Sequence, residues 1–134
     1  MAGRLNVDDM QAVQEVLARY NWAFDAGNGE EWAALFTPDG SLTGGAKPAH
    51  GTAELIAAVT GSFQHFSGGI RHHLTDLVAE YAGDRNTVHA KGCNLVTNWQ
   101  DGGKLFGLAL ADLVLVRRDG EWKIKSNQLT LKLA

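Results

Sequence analysis

The apolar residues of this chain change period near Ile70, from a helical turn to two residues. That switch restricts the possible folds more than any other feature. Before it, Met10, Val13, Leu17, Tyr20 and Phe24 recur at offsets of 3, 4, 3 and 4, which places them along one face of a helix. After it, alternation dominates, interrupted at Gly83-Asp84-Arg85-Asn86, Asp101-Gly102-Gly103 and Asp119-Gly120. Asp-Gly between alternating runs is a strong hairpin signal. Helices followed by consecutive hairpins predict an α+β architecture, with three N-terminal helices packed on a curved antiparallel sheet. The long strands are expected at 71–81, 87–99, 104–117 and 121–132.

Local signals set the expected boundaries. Asp8-Asp9-Met10-Gln11 reads as a capping-box start, and Ala26-Gly27-Asn28-Gly29 as the end of the first helix. A second helix is expected over Glu30–Phe36, its first turn acidic. Thr37-Pro38-Asp39-Gly40 reads as a turn in which Pro fixes φ and Gly supplies a positive φ. Ser41–His50 is expected to be a short strand and a loop. Thr52 would cap a third helix carrying Leu55, Val59, Phe63 and Phe66 on one face, stopped by Ser67-Gly68-Gly69.

With 134 residues the chain is expected to be one domain over 1–134, long enough to bury a core without a staple. Its 45% apolar and 20% charged residues exclude disorder throughout. The single Cys93 excludes an intrachain disulfide and a cysteine zinc cage, and as a small strand residue it has no base beside it in sequence. Residues 1–70 hold 3 basic and 8 acidic side chains, residues 71–134 hold 9 and 7. Neither half carries a basic stripe interleaved with aromatics, so no nucleic-acid partner is expected. Met1–Asp9 lacks an apolar leader core, and Leu105–Val116, broken by Asp112, is too short to span a bilayer. The expectation is a cytoplasmic chain with no membrane partner. The 104–117 strand is apolar on both parities, so something must cover its second face, and a second copy of the chain is the simplest cover. A homodimer through the sheet follows.

Polar residues inside apolar patterns carry the functional signal. Tyr20 lies on the apolar face of the first helix, and Asp25 lies five residues on, near the same mouth. A carboxylate at a helix C-terminus meets the negative end of the dipole, so something else must hold it there. In Arg71-His72-His73, alternation sends one histidine to the helix side, without saying which. His and Asp in an apolar setting are the minimum kit for acid–base work on a small molecule. No HxH or HExxH spacing suggests a metal, and no cofactor motif is present. Asn94, Asn98 and Trp99 could line a cavity, and Trp122 reads as a core anchor. Asp112, an acid in an apolar strand, fits a dimer-interface partner better than a buried carboxyl or a bulge residue.

Arg19-Tyr20-Asn21-Trp22-Ala23-Phe24-Asp25-Ala26-Gly27-Asn28 and Trp32-Ala33-Ala34-Leu35-Phe36-Thr37-Pro38-Asp39-Gly40 resemble the opening of SnoaL-like proteins of the nuclear transport factor 2-like superfamily. Arg71-His72-His73-Leu74-Thr75-Asp76 looks like that family's Arg-His strand, and Asp119-Gly120-Glu121-Trp122-Lys123-Ile124 like its closing hairpin. The resemblance implies a cone-shaped α+β barrel around one deep pocket. It also implies a cofactor-independent dehydratase or isomerase in which Tyr20, Asp25 and His72 are catalytic, with His73 the alternative if the register slips. Phe24, Asn94, Trp99 and His73 would contact a largely apolar cyclic or aromatic substrate. A non-catalytic binding or dimerisation module of the same fold is the competing expectation.

Overall fold

The computed structural model describes residues 3–133. Three helices, α1 (Val7–Asp25), α2 (Gly29–Ala33) and α3 (Gly51–Phe66), precede a long meander. Strands β1 (Phe36–Thr43) and β2 (Ala49–His50) lie between α2 and α3. The meander is β3 (Ile70–Ala82), β4 (Asp84–Asn98), β5 (Lys104–Arg118) and β6 (Glu121–Leu133), with a 3-10 turn at Trp99–Asp101. The six strands form one sheet in the order β2-β1-β6-β5-β4-β3. The fold class is therefore α+β, as the change of period implies.

The expected all-antiparallel sheet needs one correction: β1 pairs with β6 in parallel. The other pairs are antiparallel. α3 and the whole meander separate β1 from β6, so no hairpin dictates their relative direction. The Asp119-Gly120 turn matches its signal. Both residues have positive φ (52° and 78°) and Arg118 pairs with Glu121, the geometry of a two-residue primed turn.

Other boundaries move for identifiable reasons. The N-cap of α1 is Asn6, whose side chain accepts from the Asp9 N–H at 2.8 Å, so Asp8 and Asp9 fall inside the first turn. α2 ends at Ala33, and Phe36 opens β1, its ring packed at 4.8 Å on Trp32. Thr37-Pro38-Asp39-Gly40 is not a turn but an irregular stretch of β1, and Gly40 does not have a positive φ. A Cβ there would fall 2.8 Å from the Phe36 Cβ, so close packing demands the glycine. Thr52 does not cap α3. The N-cap is His50, whose backbone N–H donates to the Glu54 carboxylate at 3.0 Å.

The core lies between the helices and the inner face of the sheet. On β5, every odd residue from Gly107 to Leu115 is buried, while Leu110 and Asp112 are exposed on the opposite face. Val13, Leu55, Val59, Val88, Leu115 and Ile124 are fully buried, each worth about 1.5–3 kcal/mol. Phe63, expected on the same stripe as Leu55, is 41% exposed. Trp122 is buried as an anchor, with the Arg117 guanidinium over its ring at 4.8 Å.

Candidate active site

α1 ends in a Schellman motif. Gly27 (φ 74°) donates to the Phe24 carbonyl and Asn28 to the Ala23 carbonyl. This leaves Asp25 in the last helical turn, with its side chain fully buried at the negative end of the dipole. What holds it there is the start of β3. The His72 backbone N–H donates to Asp25 Oδ2 at 2.7 Å, and His72 Nδ1 lies 2.6 Å from Oδ1. Both carboxylate oxygens are thus engaged by one residue. Arg71 Nη1 adds a longer ionic contact at 3.9 Å, its guanidinium lying over the Trp22 ring at 4.4 Å.

This geometry decides between the two histidines. His72 pairs with Val96 on the inner face, beside Phe24, whose ring meets it edge-on at 5.2 Å. His73 points to the opposite face, where Nε2 hydrogen-bonds Thr97 Oγ1 at 2.9 Å. It cannot touch a ligand held by Asp25 and His72. Trp99 is 61% exposed beyond the end of β4, its indole N–H donated to Thr97, so it lines no interior space either. Asn94 is buried on the inner face and accepts from the Asn21 amide at 3.3 Å. Asn98 accepts from the Gln100 backbone and serves as a turn residue.

Tyr20 is separated from the pair. Its hydroxyl accepts from the Asn127 amide at 3.0 Å, and its ring packs between Trp32 (5.1 Å) and Phe36 (5.9 Å). Burial pushes the phenol well above its ordinary value; the Asn127 hydrogen bond opposes this and the Asp25 charge adds to it. Asn127 escapes a reading of the sequence, because on β6 it looks like one more polar strand residue. In the structure it is fully buried; its Oδ1, like the Trp32 Nε1, has no hydrogen-bond partner among the described residues.

Tyr20, Phe24, Trp32 and Phe36 pack as one aromatic cluster behind the pair, Trp32 meeting Phe24 and Phe36 edge to face. Beside Asp25 there remains a cleft of about 10 Å³, no more than a single water needs. It is lined by Phe24, Asp25, Ser62, Phe63, Phe66, Gly68 and Ile70. Asp112 lies outside this region, exposed and opposite Lys91, in a shallow groove of about 340 Å³ on the outer face of the sheet. It is neither a buried carboxyl nor at a register shift. Among the described residues, no three His, Cys, Asp or Glu side chains gather as a metal site would require. Among them, too, no helix is long and apolar enough to cross a membrane.

Residues 6–128 match the SnoaL-like domain. The chain belongs to that family. A cystatin-like-fold protein of unknown function from Nostoc punctiforme superposes with a TM-score of 0.86 at 23% identity, covering 96% of this chain and 95% of that one. A Novosphingobium aromaticivorans protein assigned as a scytalone dehydratase gives 0.77 at 20% identity, covering 96% and 87%. At these identities the likeness shows the fold. A Catenulispora acidiphila protein solved in complex with S-DNPA gives 0.79 at 27% identity, covering 94% and 95%. No curated protein matches the chain.

Proposed function

We propose that this SnoaL-like protein is a cofactor-independent lyase or isomerase of the dehydratase type. Its substrate would be a small, largely apolar cyclic or aromatic molecule. The observation that carries this reading is the double hold of His72 on Asp25, at 2.7 Å through the backbone and 2.6 Å through the ring. With Nδ1–H donated to Asp25, the second ring nitrogen, Nε2, is the free base. A carboxylate behind an imidazole fixes the tautomer and stabilises the imidazolium formed when a proton is taken.

In the reaction, Nε2 would remove a proton from a carbon next to a carbonyl or on a benzylic position. The electron pair left behind forms the new double bond. The imidazolium then returns the proton to a departing hydroxyl, releasing water, or to the shifted carbon in an isomerisation. Tyr20 is held in the aromatic core by Asn127, so its part is to position Trp32 and Phe24 behind the pair. The ligand of the Catenulispora relative supports a small-molecule site in this fold.

The test is proton exchange. In D2O, 2-tetralone should take up deuterium faster with the protein than without it. Asp25→Asn and His72→Ala should each lower that rate by roughly 10²–10⁴, with the far-ultraviolet circular dichroism unchanged. Variants as fast as the parent would overturn the mechanism. The second reading, a non-catalytic small-molecule binder, is favoured by one observation: Asp25 is fully satisfied by its own chain. A parent protein that exchanges no proton, with a His72 titration indifferent to ligand, would establish that reading instead.

A further inference from the structure

Phe63 is a large apolar side chain in an unusual seat. It lies on the last turns of α3, 41% exposed, yet its ring forms one wall of the cleft that ends on Asp25. The ring rests on the backbone of two glycines. A Cβ at Gly27 would lie 2.6 Å from it and a Cβ at Gly68 3.1 Å. Both glycines have positive φ (74° and 71°), and they close α1 and α3 respectively. The cradle therefore depends on missing side chains at the ends of two helices, α1 and α3. Its other walls include Phe24, Phe66, Ser62 and Ile70, and Phe66 in turn meets Phe106 edge-on at 4.9 Å.

The fully buried residues of α3, Leu55 and Val59, are both in its first nine positions. Its end is held by Phe66 against Phe106, by the Gln100 amide on the Ser67 carbonyl at 3.4 Å and by the Trp99 backbone N–H on the Gly69 carbonyl at 2.8 Å. Gly61 has nothing within 4 Å of where a Cβ would stand, and Ser67 (φ 52°) ends the helix in a left-handed conformation. Glycine backbone beneath the Phe63 ring, the neighbouring rings of Phe24 and Phe66 and the Asp25 carboxylate form a slot for a planar ring. We propose that Phe63 occupies that slot in place of the ligand. A planar aromatic ring would enter by displacing Phe63 and lie on the Gly27 and Gly68 backbone, next to Asp25. Phe63 then sets both access and the preference for flat rings. The chemistry done there rests on the reading given above; the binding does not.

The probe is 2-naphthol, with cyclohexanol as a non-planar control, titrated by proton nuclear magnetic resonance. If the ring competes with the ligand, Phe63→Ala should bind 2-naphthol about five-fold or more tightly than the parent. Phe63→Trp should bind it more weakly, and cyclohexanol should gain nothing. Phe63→Leu should give an intermediate gain and keeps the test open if the alanine variant folds poorly. Weaker or unchanged 2-naphthol binding in both small variants would show that Phe63 is a wall of the site, and would overturn the proposal. Equal gains for cyclohexanol, or no binding to any variant, would overturn it as well. Asp25→Asn separates this inference from the proposed function. Tighter binding by Phe63→Ala, with proton exchange unimpaired in Asp25→Asn, keeps the slot and removes the mechanism. Loss of exchange in Asp25→Asn, with no gain in Phe63→Ala, does the reverse.

Discussion

Tyr20 illustrates how burial changes what a residue can contribute. A phenol held above its ordinary value of 10.0 stays protonated in the folded chain where an unfolded chain would ionise. Above that value the folded state binds more protons than the unfolded state, so stability falls as pH rises, and it is independent of this group below it. Tyr20→Phe should remove that part of the alkaline loss. At neutral pH the same change should cost about 1–3 kcal/mol, because the Asn127 amide loses its acceptor in a dry core. Urea unfolding at pH 8 and pH 11 reads both effects, and an equal alkaline loss in parent and variant would contradict the assignment. The residues of the pair were legible in the sequence: an acid at the wrong end of a helix dipole required a partner, and one of two strand histidines had to face inward. Which one did not follow, because the choice depends on which side the helices cover. Asn127 was invisible for a similar reason, since its role comes from a hydrogen bond spanning 107 positions.

At the scale of elements, α1 is tied down at its start as well as its end. Asp9 receives the Tyr81 hydroxyl and the Arg117 Nη1–H, the latter at 2.8 Å. Arg117 also donates to the Arg85 carbonyl at 2.7 Å and to Asn86 Oδ1 at 3.1 Å, so one guanidinium joins the helix to both outer hairpins. Arg117→Ala should cost about 2–4 kcal/mol, because it leaves a nearly buried carboxylate short of its charge partner. The Asp25–His72 pair lies about 24 Å further along the helix, so the proton exchange proposed for it should be unchanged per folded molecule. Chemical denaturation and the exchange rate together check this, and a lost rate with intact stability would contradict it. The knot also explains the displaced cap. Either Asn6 or Asp8 could accept from the first turn. Asp9 is drawn inside the helix by partners 72 and 108 positions away, which no local signal reveals. The bulge in β3 is equally hidden. Asp76, at φ 56°, puts two residues opposite Gly92, so the strand alternation changes phase between Thr75 and Val78.

For the whole molecule, the switch of period and the Asp-Gly turns were enough to read the α+β class and the meander, because each depends on neighbours in sequence, but not the parallel pairing of β1 with β6. Whether the interior is hollow was not readable, since it depends on four aromatic side chains from three elements meeting in one place. The outer face of the sheet poses the remaining whole-molecule question. Leu110 (39% exposed) and Val78 (56% exposed) lie there beside Lys91, which stands opposite Asp112, and Glu80, which stands opposite His89. No salt bridge joins Lys91 to Asp112 among the described residues. On a face with both signs of charge around apolar positions, a two-fold axis can bring the Lys91 of one copy to the Asp112 of the other. This supports the proposal that two copies pair through the sheet. Sedimentation equilibrium should then give twice the 14.4 kDa of one chain. Leu110→Glu should shift the equilibrium to single chains. Reversing Asp112 to Lys should weaken pairing, and Lys91→Glu in the same chain should restore it. A parent protein that sediments as single chains, or a double variant that fails to re-pair, would overturn pairing through this face.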